Sequence, residues 1–230
     1  MAGTKYTPTD RRPIASREAK VFVRLASWLV RRGVSANIIS TAGMFFGAAA
    51  GAALALTAVD PPRMRLWFLL AAATMQLRLL ANMLDGMVAI ESGTASAVGE
   101  LFNEAPDRVA DAAALIGAGY AVGASPELGY LAACTALLVA YIRAMGKAAG
   151  ARHDFSGPMA KQQRMFTLTV AALYSAAAPA AWQPAWSVGQ APWGLLAAAL
   201  LVVIAGGLVT VARRVAHIAA DLKARAEGGP

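Results

Sequence analysis

Apolar residues gather in runs too long for the core of a soluble domain, at 38–59, 66–90, 109–122, 128–143, 165–181 and 193–211. Short stretches carrying charge, Gly or Pro separate them. A helix rises about 1.5 Å per residue, so about 20 apolar residues cross a hydrocarbon core. The pattern therefore predicts six membrane-spanning helices, the third of which, being short, should begin before residue 109. The runs are rich in Ala and Gly, which lets helices approach closely in lipid. Gly43, Gly47 and Gly51 recur every four residues, a stripe suited to helix packing or dimerisation. Ahead of the first run, between 17 and 32, Val21, Phe22, Leu25, Trp28 and Leu29 recur at three- and four-residue spacing among Arg and Lys. That periodicity predicts an amphipathic helix lying in the membrane interface. Ser35 can cap the first span by accepting a backbone N–H left without a helical partner. Trp182, Trp186 and Trp193 lie near Pro184 and Pro192 and read as aromatic anchors at the opposite interface. The expected fold is an all-α integral membrane protein, a six-transmembrane-helix bundle with an N-terminal interfacial amphipathic helix. Its divisions are 1–34 (cytoplasmic arm and interfacial helix), 35–215 (membrane domain) and 216–230 (cytoplasmic tail).

Composition agrees: 58% of the 230 residues are hydrophobic and 15% charged, and mean hydropathy is +0.51. That leaves too little polar surface to cover a soluble globule. The net charge of +8 could point to nucleic acid, but the basic residues border the apolar runs, where anionic headgroups attract them. Nucleic acid is not an expected partner; membrane lipids are. Lys5, Arg11, Arg12, Arg17, Lys20, Arg24, Arg31 and Arg32 precede the first run, Lys147, Arg152, Lys161 and Arg164 lie between the fourth and fifth, and Arg213, Arg214, Lys223 and Arg225 follow the sixth. The opposite connections carry only Asp60, Arg63, Arg65 and Glu127. Because cytoplasmic loops are enriched in Lys and Arg, both termini are expected in the cytoplasm. The first 20 residues have no apolar stretch of the kind a cleaved signal needs, so the first span is expected to be an uncleaved anchor. Cys134, the single cysteine, excludes an internal disulfide or a Cys-based metal site and is expected to be inert packing. His153 and His217 stand alone in cytoplasmic segments and are expected at the surface.

The polar residues of 78–111 break the apolar pattern and carry the candidate chemistry. Arg78, Asn82 and Asp85 follow one another by four and three residues and share a helix face. Asn103, Asp107 and Asp111, spaced by four, form a second polar face, with Glu100 and Glu104 beside it. Two helices presenting carboxyl and carboxamide oxygens to each other suit a hard divalent cation. Glu91, Glu100 and Arg108 fit solvated helix ends better. Asn82 and Asp85 precede the apolar exit 87–90 and lie inside a span, where a carboxylate costs about 2.5–3.5 kcal/mol on insertion scales and marks a functional site.

Laid out in order, Asn82-x2-Asp85-Gly86-x2-Ala89-Ile90-x8-Gly99-x3-Asn103-x3-Asp107 resembles the fingerprint D-x2-D-G-x2-A-R-x8-G-x3-D-x3-D of the CDP-alcohol phosphotransferases. Every spacing is kept. The chain is similar to a divergent member, with Asn at two of the four aspartate positions and Ile90 in place of the arginine. The resemblance implies transfer of a phosphatidyl or related phosphoalcohol group from CDP-diacylglycerol or another CDP-alcohol to a hydroxyl acceptor, with release of CMP, in phospholipid synthesis. It implies one or two Mg2+ or Mn2+ ions on Asn82, Asp85, Asn103 and Asp107, with Asp107 also the catalytic base. Gly86, Ala89 and Gly99 would leave room for the nucleotide, Arg78 standing in for the missing arginine, while Arg143, Lys161 and Arg164 would bind an acceptor phosphate. Glu104 and Asp111 are the carboxylates that could restore the lost charge. The alternative is a catalytically degenerate lipid- or nucleotide-binding scaffold. The resemblance further implies a bacterial inner (plasma) membrane location and is compatible with a homodimer.

Overall fold

The computed structural model describes residues 19–189 and 191–227; the arm expected over 1–16 lies outside them. Helix α1 spans Lys20–Arg31, α2 Ala36–Val59, α3 Met64–Glu91, α4 Ala97–Gly119, α5 Pro126–Ala148, α6 Lys161–Ala177 and α7 Leu195–Ala226. Among the described residues, four helices are long and apolar enough to cross a membrane: α2, α3 with its leading turn from Pro61, α5 and α7. The other two members of the bundle are α4, whose N-terminal half is polar, and the 17-residue α6.

The six helices from α2 to α7 close into a ring in which α6 packs on α3, α3 on α2, α2 on α4, α4 on α5, α5 on α7 and α7 back on α6. Large buried side chains fill it, among them Phe68, Met75, Leu115, Met165, Leu168, Leu196 and Leu200. A second apolar cluster of Ala26, Ile39, Ala81, Leu84 and Val88 fastens α1 to one end of α2 and α3, while Val21, Val23 and Trp28 of α1 stay exposed.

The glycine stripe explains the tightest contact of the bundle. A Cβ on Gly47 would stand 2.6 Å from the Cβ of Ala110, and one on Gly51 would collide with the carbonyl of Ala113. Gly117 on α4 meets the Gly51 backbone in turn. Helix α2 thus lies backbone to backbone along α4, which sets how close their polar residues come. Caps fix where the helices begin. Ser35 accepts from Ile38 N at 3.3 Å, as its position suggested, and Ser96 accepts from Gly99 N at 3.1 Å at the start of α4. Gly93, at φ +69°, ends α3, with Thr94 N bonded back to Ala89 O at 3.0 Å.

Four local expectations change. The tryptophan-rich connection is a hairpin of β1 (Ala185–Val188) and β2 (Ala191–Gly194), antiparallel, with Trp186 opposite Trp193. Trp193 therefore belongs to a strand, and α7 starts at Leu195. Helix α7 then runs on to Ala226, well past the apolar run, because its polar continuation is built of Ala, Arg, Leu and Lys, all good helix formers. Cys134 is exposed on α5 rather than packed. Of the histidines, His217 is at the surface as expected, its ring facing Asp154 Oδ2 at 3.3 Å; both ring nitrogens of His153 are buried.

Candidate active site

Helix periodicity brings the two polar faces together at one end of the ring. On α3, Arg78, Asn82 and Asp85 turn inward; on α4, Asn103, Asp107 and Asp111 turn toward them. The pairing is direct: Asn82 Nδ2 donates to Asp107 Oδ2 at 2.7 Å. A carboxylate offers no proton, so Asn82 must present nitrogen at this contact, leaving its Oδ1 alone for any cation.

Asp85, buried, and Asn103 meet through a residue that the sequence reading passed over. Ser40 Oγ lies 2.9 Å from Asp85 Oδ2, 2.9 Å from Asn103 Oδ1 and 3.1 Å from Ala36 O. One hydroxyl proton cannot serve three acceptors, so this corner holds more oxygen lone pairs than protons to satisfy them. Such a set of donors fits a hard cation. Ser40 is three residues before Gly43, which lies against α3, and seven before Gly47, which lies against α4, so it continues the stripe packed between those helices, which is the signal that could have found it.

The rest of the network is basic. Lys161 Nζ, from the first residue of α6, sits on Asp107 Oδ2. Arg78 Nη2 lies 2.7 Å from Asp111 Oδ1 and 3.6 Å from Asp107 Oδ1, and also donates to the Asp107 carbonyl at 3.2 Å. Arg164 Nη2 reaches Asp111 Oδ2 at 2.8 Å, and its Nη1 donates to Met159 O at 3.0 Å. Arg78, Asp111 and Arg164 are all buried, an ion triad that staples α3, α4 and α6. Nearer the surface Glu104 pairs with Arg143 at 2.8 Å and Arg108 at 2.9 Å.

A cavity of about 370 Å3 opens beside this network, walled by Ser40, Asp85, Gly86, Ala89, Gly99 and Asn103 among others. Gly86, Ala89 and Gly99, the expected nucleotide contacts, all line it. Arg78 does not, being committed to Asp111, and Ile90 at the family's arginine position is exposed instead. The expected compensating carboxylates are differently placed as well: Asp111 is held by Arg78 and Arg164, and Glu104 by Arg108 and Arg143. Of the three residues expected to take an acceptor phosphate, Arg164 is buried, Lys161 lies on Asp107, and Arg143, 23% exposed, is shared between Glu104 and the ring of Phe155 at 5.7 Å. Among the described residues no three His, Cys, Asp or Glu side chains gather as a metal cluster.

The fold and site define a helical integral membrane protein with a charged pocket at one end of its bundle. Searched against protein-family models, the sequence matches none. It is 28% identical over 198 residues to the phosphatidylinositol phosphate synthase of Mycobacteroides abscessus, covering 83% of this chain and 84% of that protein. The structure is similar to Mycobacterium tuberculosis phosphatidylinositol phosphate synthase with CDP-DAG bound, at a TM-score of 0.68 and 20% identity, over 87% of this chain and 94% of that one. The manganese and citrate complex of the same synthase gives 0.67 at 20% identity, over 86% and 88%. Its gapless fingerprint and these likenesses make the chain similar to the CDP-alcohol phosphotransferases, with Asn at two of the four aspartate positions.

Proposed function

We propose that this protein transfers a phosphatidyl or related phosphoalcohol group from a CDP-alcohol to a hydroxyl acceptor and releases CMP. The observation that carries the reading is the cavity: the three small motif residues leave its wall open for a nucleotide, and Asp85 and Asn103 stand at that wall beside Asp107. The acceptor oxygen would attack the phosphorus of the phosphoalcohol, the bond from that phosphorus to the CMP oxygen would break, and CMP would leave with the electron pair. Asp107 would take the proton of the attacking hydroxyl. The oxygens of Asp85, Asn103 and Ser40 suit a divalent ion, Mg2+ or Mn2+, which when bound neutralises charge on the diphosphate. Arg143, the least buried of the three basic candidates, is the residue best placed to meet an acceptor phosphate.

The same reading takes all of α2–α7 as six spans, with α1 on the inner leaflet of a bacterial plasma membrane and both termini cytoplasmic. A scaffold that binds CDP-alcohols without turnover is the second reading. It is favoured by one observation, that Asp111 and Glu104 are each neutralised by two arginines and add no charge to the metal corner.

The test is CMP release from CDP-diacylglycerol by the reconstituted protein with Mg2+ or Mn2+ across a panel of alcohols. Metal-dependent release should fall by roughly 100-fold or more in Asp107→Ala, the scale of a lost general base. Binding of CDP-diacylglycerol with no release from any acceptor would decide for the scaffold.

A further inference from the structure

The two halves of the site differ in the kind of atom they present. Around Asp107 every neighbour is a nitrogen donor: Asn82 Nδ2 and Lys161 Nζ meet Oδ2, and Arg78 Nη2 faces Oδ1 at 3.6 Å. Around Asp85 the side-chain neighbours are oxygens, with Ser40 Oγ drawing Asp85 Oδ2 and Asn103 Oδ1 to 2.9 Å each, and the nitrogen donor on its carboxylate is a neutral one, the Gly86 backbone N–H at 2.5 Å from Oδ1. We propose that the Lys161 ammonium is a built-in cation occupying the Asp107 half, so that the protein takes a single divalent ion, at Asp85 and Asn103. This rests on the phosphotransferase reading above and sets its metal count.

Charge supports the division. Asp85 and Asp107 contribute two negative charges and Lys161 returns one, so one divalent ion already leaves the pair of half-sites positive, ready for a diphosphate. A second would face Lys161 and Arg78 with no further carboxylate to balance it, because Asp111 is bound to Arg78 and Arg164 and Glu104 to Arg108 and Arg143. Like charges at such range repel, the more so away from bulk water.

Lys161 is also held in place. It is 14% exposed, and Asp107 13%. Three residues on, Arg164 ties α6 to α4 through Asp111, and Met159 N donates to Thr210 Oγ1 of α7 at 3.0 Å, fixing the approach to the helix. A lysine at the first position of a helix opposes the helix dipole, whose positive end is there. That local rule is broken where Asp107 supplies the compensating charge, as happens at functional positions.

The test is a Mn2+ titration of the reconstituted full chain followed by electron paramagnetic resonance, which counts bound ions and distinguishes isolated from paired ones without turnover. Wild type should saturate at one isolated Mn2+ per chain, and Lys161→Arg, which keeps the cation, should do the same. Lys161→Met should gain a second ion and show the dipolar broadening of a pair. Two ions in wild type would overturn the proposal while leaving the phosphotransferase reading standing. So would a Lys161→Met variant that melts like wild type yet gains no ion. No Mn2+ bound by wild type would defeat the metal-dependent reading as well; should Lys161→Met fail to fold, the wild-type count still decides.

Discussion

Asp111 shows how much one residue's meaning depends on its partners. From spacing alone it is one turn beyond Asp107 on the same face, a plausible source of extra charge for a metal. Buried between Arg78 at 2.7 Å and Arg164 at 2.8 Å, it is instead the anion that makes two buried guanidiniums tolerable. Removing one partner of a buried ion pair typically costs about 3–5 kcal/mol, because the remaining charge is left uncompensated. Asp111→Asn should therefore lower the midpoint of thermal unfolding in detergent strongly, even though Asn is nearly isosteric. A melt indistinguishable from wild type would mean that the triad contributes nothing to stability. Asn82 illustrates the same dependence in a milder form. As a replaced aspartate it reads as a weakened metal ligand, whereas in the structure its amide nitrogen is the group that meets Asp107, something an aspartate could not supply.

Among the elements, the pairing of α2 with α4 sets the geometry of the site. Gly47 and Gly51 allow the two backbones to touch, and the same face of α2 carries Ser40 to Asp85 and Asn103. Gly47→Leu would drive its Cβ and everything beyond it into Ala110, which is backbone and helix wall rather than a flexible side-chain tip. Overpacking of this kind usually costs about 1–3 kcal/mol. The expected result is a lower melting temperature together with weaker Mn2+ binding, since α2 must move away from α4 and take Ser40 with it. Unchanged metal affinity in the folded variant would show that the corner at Ser40 is not part of the metal site. Helix α6 is the other positioning element: its short first turn delivers Lys161 to Asp107 and Arg164 to Asp111, so its register against α4 fixes two cations at once.

For the whole molecule, the closed ring of six helices puts the charged pocket at the end where α3 finishes and α4 and α6 begin, and the hairpin of β1 and β2 at the other. The excess of Lys and Arg at the pocket end is the basis for proposing that this end faces the cytoplasm, and labelling tests it. In a Cys134→Ser background, Val188→Cys on the hairpin should react with a membrane-impermeant maleimide in intact cells. Lys223→Cys near the end of α7 should react only once the cells are opened. The reverse labelling would invert the topology and put the pocket outside.

The sequence by itself determined that apolar helices dominate this protein, the approximate position of the long ones, the cap at Ser35 and the spacing of the fingerprint. These are local properties, carried by run length, helical period and fixed spacing. The β-hairpin escaped it because tryptophan and proline in a connection read equally as interfacial anchors and as strand, and the cross-strand partner decides. The site was legible to the extent that its residues share a helix: Asn82 with Asp85, Asn103 with Asp107. Only the tertiary structure decided that Ser40 from α2 joins Asp85 and Asn103, that Lys161 comes to Asp107 from 54 residues away, and that Asp111 and Glu104 answer to arginines. A charge in a low-dielectric bundle is defined by whatever opposite charge packing brings to it, and the sequence around each residue carries no record of which helix will be its neighbour.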